Sequence, residues 1–218
     1  MDIDAIRDAV IAAGYEQAGD RVLLSFNSAP ARATRSIGNN VPGRYQSWKM
    51  RVTIQTESRT VELPAVIMYE FGEPDVVAYI EQPDPALPVL VGERGRTYLQ
   101  VPDFLVVRRT WVGYEEWKSE ERLLALARRH PDRWIHDSRT GWHRPHAEQA
   151  AAALGLGYRV RSSAEIERTY VRNLDVLADY FNDPAPRISD EARAAILTAV
   201  RARPGITTLQ LLALGRAS

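Results

Sequence analysis

The chain has no cysteine among its 218 residues. That excludes a disulfide framework, thiolate zinc sites and a cysteine nucleophile. It also lacks any apolar run near the roughly 20 residues that cross a bilayer. The opening Met1-Asp2-Ile3-Asp4 has neither a basic n-region nor an apolar h-region. No secretory leader is expected, and the expected location is cytoplasmic. Net charge is missing too, with 28 basic residues against 28 acidic ones. A free-standing duplex-DNA binder usually carries a basic surplus, because affinity scales with the phosphates neutralised. Neutrality argues against strong autonomous nucleic-acid binding, but allows local basic patches or delivery to DNA by a partner. Repeats and low-complexity tracts are absent. Gly113, Gly155 and Gly157 form no phosphate-cradling loop, so nucleotide binding is not expected.

What is present is ordinary for a folded domain: 45% hydrophobic and 26% charged residues exclude disorder, collagen and coiled coil. The length suits one domain with a small appendage. Residues 3–17 read as a short amphipathic helix. Between Arg21 and Arg59 seven cations face a single acid, Glu57. This stretch reads as a solvated basic loop or as an arm that contacts phosphates. Ser58 is placed to cap a helix running through Glu62 to Phe71, with Pro64 early enough to be tolerated. Strands are expected at 50–54, 76–80, 89–91, 98–101, 104–107, 113–118 and 158–161. Helices are expected at 119–130, 146–154, 164–181, 189–202 and 207–214, and a small hairpin at 134–142. Strands and helices interleave, so the class is α/β or α+β with a mixed sheet flanked by helices.

The chemistry concentrates in Val101-Pro102-Asp103-Phe104 and, thirteen positions after Asp103, Glu116-Trp117-Lys118. Side chains alternate along a strand, so Glu116 and Lys118 share one face while Glu115 and Trp117 share the other. Asp103, at the end of the preceding strand, can meet Glu116 across the hairpin. Two adjacent carboxylates repel unless a cation sits between them. Mg²⁺ suits such a site, with Mn²⁺ as a substitute, because it accepts one or two carboxylates together with phosphate oxygens. Lys118 is then placed to orient or help deprotonate a water, or to neutralise charge on phosphorus. Either Glu62 or Glu57 can supply a third acid. The alternative reading of Glu-x-Lys is a surface strand carrying an ion pair. The histidines (His130, His136, His143, His146) have no zinc-ligand spacing. Trp111, Trp117, Trp134 and Trp142 read as packing residues before base-stacking ones. Arg159 and Arg161 read as DNA contacts or as ion-pair partners of Glu165 or Glu167.

Several segments resemble, in order, the N-terminal domain of TnsA-type transposon endonucleases. They are 43–50, Gln55 to Pro64, Glu81-Gln82-Pro83, Val101 to Phe104, Glu116 to Lys118, and Tyr158 to Ile166 leading to Asn173-Leu174. The resemblance spans roughly residues 40–181. It implies a restriction-endonuclease-like PD-(D/E)xK fold and metal-dependent cleavage of the 5′ strands at transposon ends, on double-stranded DNA. A DDE-type transposase subunit, TnsB, would cut the 3′ ends, and an ATPase regulator, TnsC, would contact both. Carried onto this chain, the helix acid is Glu62, the metal aspartate Asp103, the second strand ligand Glu116 and the lysine Lys118. The Trp117 carbonyl is a further candidate ligand, and Glu57 a supporting residue. Val101 replaces the family's frequent Thr. The implied organisation is an N-terminal helix and basic arm (1–40), a nuclease domain (41–183) and a short helical segment (184–218) like the start of a winged helix. The alternatives are a restriction or repair nuclease of the same fold, and a non-catalytic assembly subunit.

Overall fold

The structure is a computed structural model that describes residues 2–32, 41–91, 96–182 and 189–215. Its centre is a four-stranded sheet in the order β10-β7-β6-β3. The strands are β3 (Val76–Glu81), β6 (Phe104–Arg108), β7 (Trp111–Lys118) and β10 (Gly157–Ser162). β6 runs antiparallel to β3 and β7, whereas β10 runs parallel to β7. The class is therefore mixed α/β, as expected. β6 is buried at every position and apolar up to its last residue, Arg108, which suits a central strand covered on both faces. Two-stranded ladders pair β1 (Gly43–Gln46) with β2 (Thr53–Thr56), β4 (Leu87–Val91) with β5 (Arg96–Gln100), and β8 (Ile135–Asp137) with β9 (Gly141–His143).

Helices cover both faces of the sheet. Helices α1 (Ile3–Ala12) and α2 (Gly19–Asn27) send Ile6, Val10, Val22 and Phe26 into the core. Arg21 Nε donates to Tyr114 Oη at 2.9 Å, and its Nη2 donates to the carbonyls of Pro85 and Ala86. This corrects the expected basic arm. Arg21 lies on an amphipathic helix and its charge is turned inward, so residues 2–27 belong to the body of the fold. The part of that arm at 33–40 lies outside the described residues. The β1 strand, inside the same basic stretch, also replaces an expected loop.

Opposite α1 and α2 lies α3 (Glu62–Ile67), which continues into a π-turn over Met68–Gly72. Its start differs from expectation. Ser58 Oγ accepts from Val61 N–H at 3.2 Å, so it holds the preceding turn, and the helix proper begins at Glu62. The π-turn loosens the helical ladder. Lys49 Nζ compensates by donating to the carbonyls of Tyr69 (2.5 Å) and Val76 (2.7 Å). The remaining elements of this unit are α4 (Glu120–Arg129), capped by Ser119, and α5 (Pro145–Ala152). Ser162 caps a single turn over Ser163–Glu165 rather than one long helix, and α6 (Arg168–Asn182) starts afresh.

The chain divides into Met1–Ala178 and Asp179–Ser218. The second unit carries α7 (Asp190–Ala202), capped by Ser189, and α8 (Thr208–Gly215). The boundary expected between residues 183 and 184 lies outside the described residues. Among the described residues no helix is long and apolar enough to cross a membrane.

The parallel β7–β10 pair depends on two glycines. A Cβ on Gly113 would lie 2.3 Å from the Gly157 carbonyl oxygen, and one on Gly157 would lie 2.4 Å from Trp111 Nε1. Gly113→Ala must therefore push β10 away from β7. It is expected to cost about 3 kcal/mol in urea unfolding, the scale of overpacking against fixed backbone. A loss below about 0.5 kcal/mol would contradict this packing.

Candidate functional site

The site forms where β7 leaves the sheet. Asp103 immediately precedes β6, and Phe104 pairs with Glu115, which brings Asp103 opposite Glu116. Asp103 Oδ2 accepts the Trp117 N–H at 2.7 Å. That bond fixes the aspartate against the strand bearing Glu116 and Lys118. The alternation read from the sequence holds on this strand. Glu116 and Lys118 face a cleft, whereas Glu115 and the Trp117 indole face Tyr69 on the other side. Glu62 enters from the first turn of α3, where its Oε2 accepts the Glu57 N–H at 2.7 Å. Glu57 is braced in turn by Arg32 (3.1 Å) and by Gln82 Nε2 (3.1 Å). Gln82 is buried with a left-handed backbone (φ 42°), and its N–H donates to the Asp103 carbonyl at 2.8 Å. A strained residue thus ties the supports of both acids together.

Glu57, Glu62, Asp103, Glu116, Trp117 and Lys118 all line one open cleft of about 620 Å³. The four residues expected from the sequence are therefore together. Their mutual arrangement differs from a set of free ligands. Glu116 is fully engaged, with Lys118 Nζ 2.5 Å from Oε1, while Oε2 accepts from Gln100 Nε2 (2.9 Å) and Tyr158 Oη (3.1 Å). Among the described residues, no group of three acidic or histidine side chains stands close enough to hold an ion as it is. What remains is Asp103 Oδ1 and Glu62 Oε1, to which no hydrogen bond is made among the described residues.

Electrostatics separates the acids. Burial, followed by repulsion from Glu116, holds the Asp103 carboxyl well above the usual carboxylate range. Burial likewise pushes Glu62 up to about 7, against the pull of the Glu57 N–H. Burial also works to raise Glu116, but Lys118 and Arg144 outweigh it and hold Glu116 low. For Lys118 burial opposes the charge, yet Glu116 and Asp103 prevail and raise its affinity for the proton. The site as it stands is thus an ammonium–carboxylate pair beside two acids that feel the Lys118 charge but form no ion pair among the described residues. Lys118 is charged at neutral pH here, which favours charge neutralisation over the general-base role considered from the sequence.

A pH dependence follows for the metal-free chain. Glu62 titrates near 7 when folded and at 4.5 by its ordinary value, so the folded state holds more protons between those limits. Its contribution to stability is complete below about 4.5, declines as pH rises and is gone above about 7. Glu62→Gln should therefore match wild type near pH 4.5 and exceed it at pH 8 by on the order of 3 kcal/mol. Urea midpoints in chelator at the two pH values measure this. An equal offset at both would contradict it.

Sequence reasoning missed Gln100, Tyr158, Trp134 and Arg144. Gln100 and Tyr158 hold Glu116, and Gln100 Oε1 is buried with no partner. Gln100 lies on β5, three residues before Asp103, and Tyr158 on β10. Nothing local distinguishes either, because sheet register brings them in. A larger groove of about 900 Å³ follows the edge strand β10. Its buried guanidiniums, Arg108 and Arg161, are taken up by Glu73, Asp75, Glu115 and Glu165. Arg159 stacks on Trp111 at 4.1 Å. The acids facing these guanidiniums are ion-paired, whereas Asp103 and Glu62 form no ion pair among the described residues.

A comparison with known proteins finds no family model that matches the chain and no curated protein that matches its sequence.

Proposed function

We propose that this cleft is the active site of a divalent-cation-dependent DNA endonuclease, the subunit of a TnsA-like heteromeric transposase that hydrolyses the 5′ strands at transposon ends. The restriction-endonuclease-like fold is part of the same proposal. One observation carries it. Glu62, Asp103, Glu116 and Lys118, distant in sequence, line a single solvent-open cleft in which Asp103 and Glu62 form no ion pair among the described residues and are held above the usual carboxylate range. The order of the sequence segments supports it further.

The donor set fits Mg²⁺ or Mn²⁺. It consists of hard carboxylate oxygens, and Asp103 Oδ1 and Glu62 Oε1 are the ones not already engaged. Asp103 and Glu62 would hold the ion, joined by Glu116 and the Trp117 carbonyl once Glu116 yields one of its present partners. Such an ion supplies Lewis-acid polarisation of the phosphoryl group and a more acidic water. The Trp117 N–H holds Asp103 in place, and the Glu57 N–H holds Glu62. Gln100 and Tyr158 fix the rotamer of Glu116. Lys118 keeps its proton and faces the negative charge that builds on phosphorus during hydrolysis. A DDE-type subunit cutting the 3′ strands and an ATPase regulator are the implied partners. Reliance on them agrees with the chain's neutral charge.

The test is strand-specific cleavage. With a plasmid bearing the transposon ends, Mg²⁺ and the DDE-type subunit, 5′ strands should be cut. Asp103→Ala should stop 5′ cutting while 3′ cutting continues. Continued 5′ cutting by that variant would reject the assignment.

A further inference from the structure

Arg144 stands at the cleft in a posture that its internal contacts do not explain. It is the residue before α5, and its backbone is pinned there. Its N–H donates to Glu148 Oε1 at 2.9 Å, and its carbonyl accepts from Ala147 (2.9 Å) and Glu148 (3.0 Å). Its guanidinium lies over the ring of Trp134, 4.8 Å from the centroid, Nη2 donates to Tyr98 Oη at 2.8 Å, and the guanidinium also hydrogen-bonds the Tyr158 hydroxyl. Trp134 is itself buried, and Lys118 Nζ lies 5.8 Å from the centre of the same ring. One indole thus supports two cations side by side. Among the described residues the one carboxylate oxygen within 4 Å of the Arg144 guanidinium is Glu116 Oε1, 3.9 Å away and already held by Lys118 at 2.5 Å. A guanidinium offers five N–H donors in a planar fork. Tyrosine contacts and one long ion pair leave that fork with more donors than the cleft uses.

We propose that Arg144 grips the non-bridging oxygens of the DNA phosphate in this cleft, with Trp134 as the platform that aligns its guanidinium beside the Lys118 ammonium. The inference rests on the nuclease reading above and names the residue that seats its substrate. Stacking on an aromatic face keeps the fork rigid without consuming donors. A rigid fork matches two phosphate oxygens at once, which a lysine cannot do. Arg144 is therefore a catalytic residue in the strict sense, one that touches the reacting group. It holds the phosphate in the ground state and meets the charge that grows there.

The experiment uses the full chain and its Arg144→Gln and Arg144→Lys variants, each together with the DDE-type subunit, and two readouts. The first is steady-state 5′-strand nicking of plasmid DNA in Mn²⁺. The second is fluorescence anisotropy of a labelled duplex in Ca²⁺ over a salt series. Arg144→Gln should lose about 100-fold in kcat/KM, as for removal of one preorganised donor group. It should also lower the slope of log affinity against log salt by about one, because one phosphate contact is gone. Arg144→Lys should restore the slope but not the full kcat/KM. A purely structural role would leave the salt slope unchanged and give lysine no selective rescue. Circular dichroism monitors folding, and if Arg144→Gln does not fold, the lysine variant carries the test through its kcat/KM at an unchanged slope. If wild type cuts and Arg144→Gln cuts equally well with an unaltered slope, the Arg144 assignment fails alone. If wild type together with the DDE-type subunit cuts no 5′ strand, the nuclease reading fails and takes this inference with it.

Discussion

Asp103→Asn is expected to reduce DNA cleavage by at least about a thousandfold while making the metal-free chain more stable. Both halves come from one placement. Asp103 is buried, faces Glu116 and Glu62, and is held well above the usual carboxylate range by that burial and repulsion. At pH 8 the folded chain must either keep a proton there or carry a poorly compensated charge, and each option costs stability. An asparagine removes the cost and keeps an oxygen to accept the Trp117 N–H. The gain should be about 1 kcal/mol, the usual scale for relieving a strained functional group. It is read from urea midpoints at pH 8 in chelator, alongside nicking assays in Mn²⁺. A variant that still cuts, or that is destabilised by more than about 2 kcal/mol, would contradict this placement.

Lys118→Met should have the opposite effect on stability and a similar one on activity. Its ammonium lies 2.5 Å from Glu116 Oε1, and Glu116 is buried. Removing the cation strands a buried carboxylate whose affinity for protons is now held down by Lys118 and Arg144, against its burial. Breaking a fully buried pair costs 3–5 kcal/mol, and Lys118 is partly exposed, so a loss of about 2 kcal/mol is expected. Cleavage should fall about 100-fold or more, as for loss of one transition-state charge partner. Adding Mg²⁺ should raise the melting temperature of this variant more than that of wild type, because the cleft has become more negative. Equal thermal shifts in the two proteins would argue that the ion does not share the carboxylates Lys118 now faces.

The part of the site that follows a strict period was legible in the sequence. Alternation along residues 113–118 assigns Glu116 and Lys118 to one face and Trp117 to the other, and the structure keeps that assignment. The position of Asp103 follows from the same hairpin. Glu62 was legible as an acid near the start of a helix, but not as a carboxylate desolvated enough to titrate near 7. Burial belongs to the packed whole, not to the local segment. Gln100, Tyr158 and Arg144 were invisible for a related reason. They reach Glu116 through a β4–β5 ladder, a parallel pairing and a loop before α5, none of which sequence spacing specifies. The basic stretch misled because charge counts do not report direction. Arg21 lies on a helix whose other face is apolar, and its guanidinium satisfies carbonyls at Pro85 and Ala86. The long helix expected from Ser162 failed for a local reason, since Ser162 and Glu165 close a capping box around one short turn.

The central claim is that these carboxylates form a cation site in the cleft. It is tested most directly by calorimetric titration of Mn²⁺ into the full-length chain at pH 8, with Asp103→Asn as the control. Binding by wild type that disappears in the asparagine variant is the predicted result. Absence of binding by wild type, or undiminished binding by the variant, would contradict it.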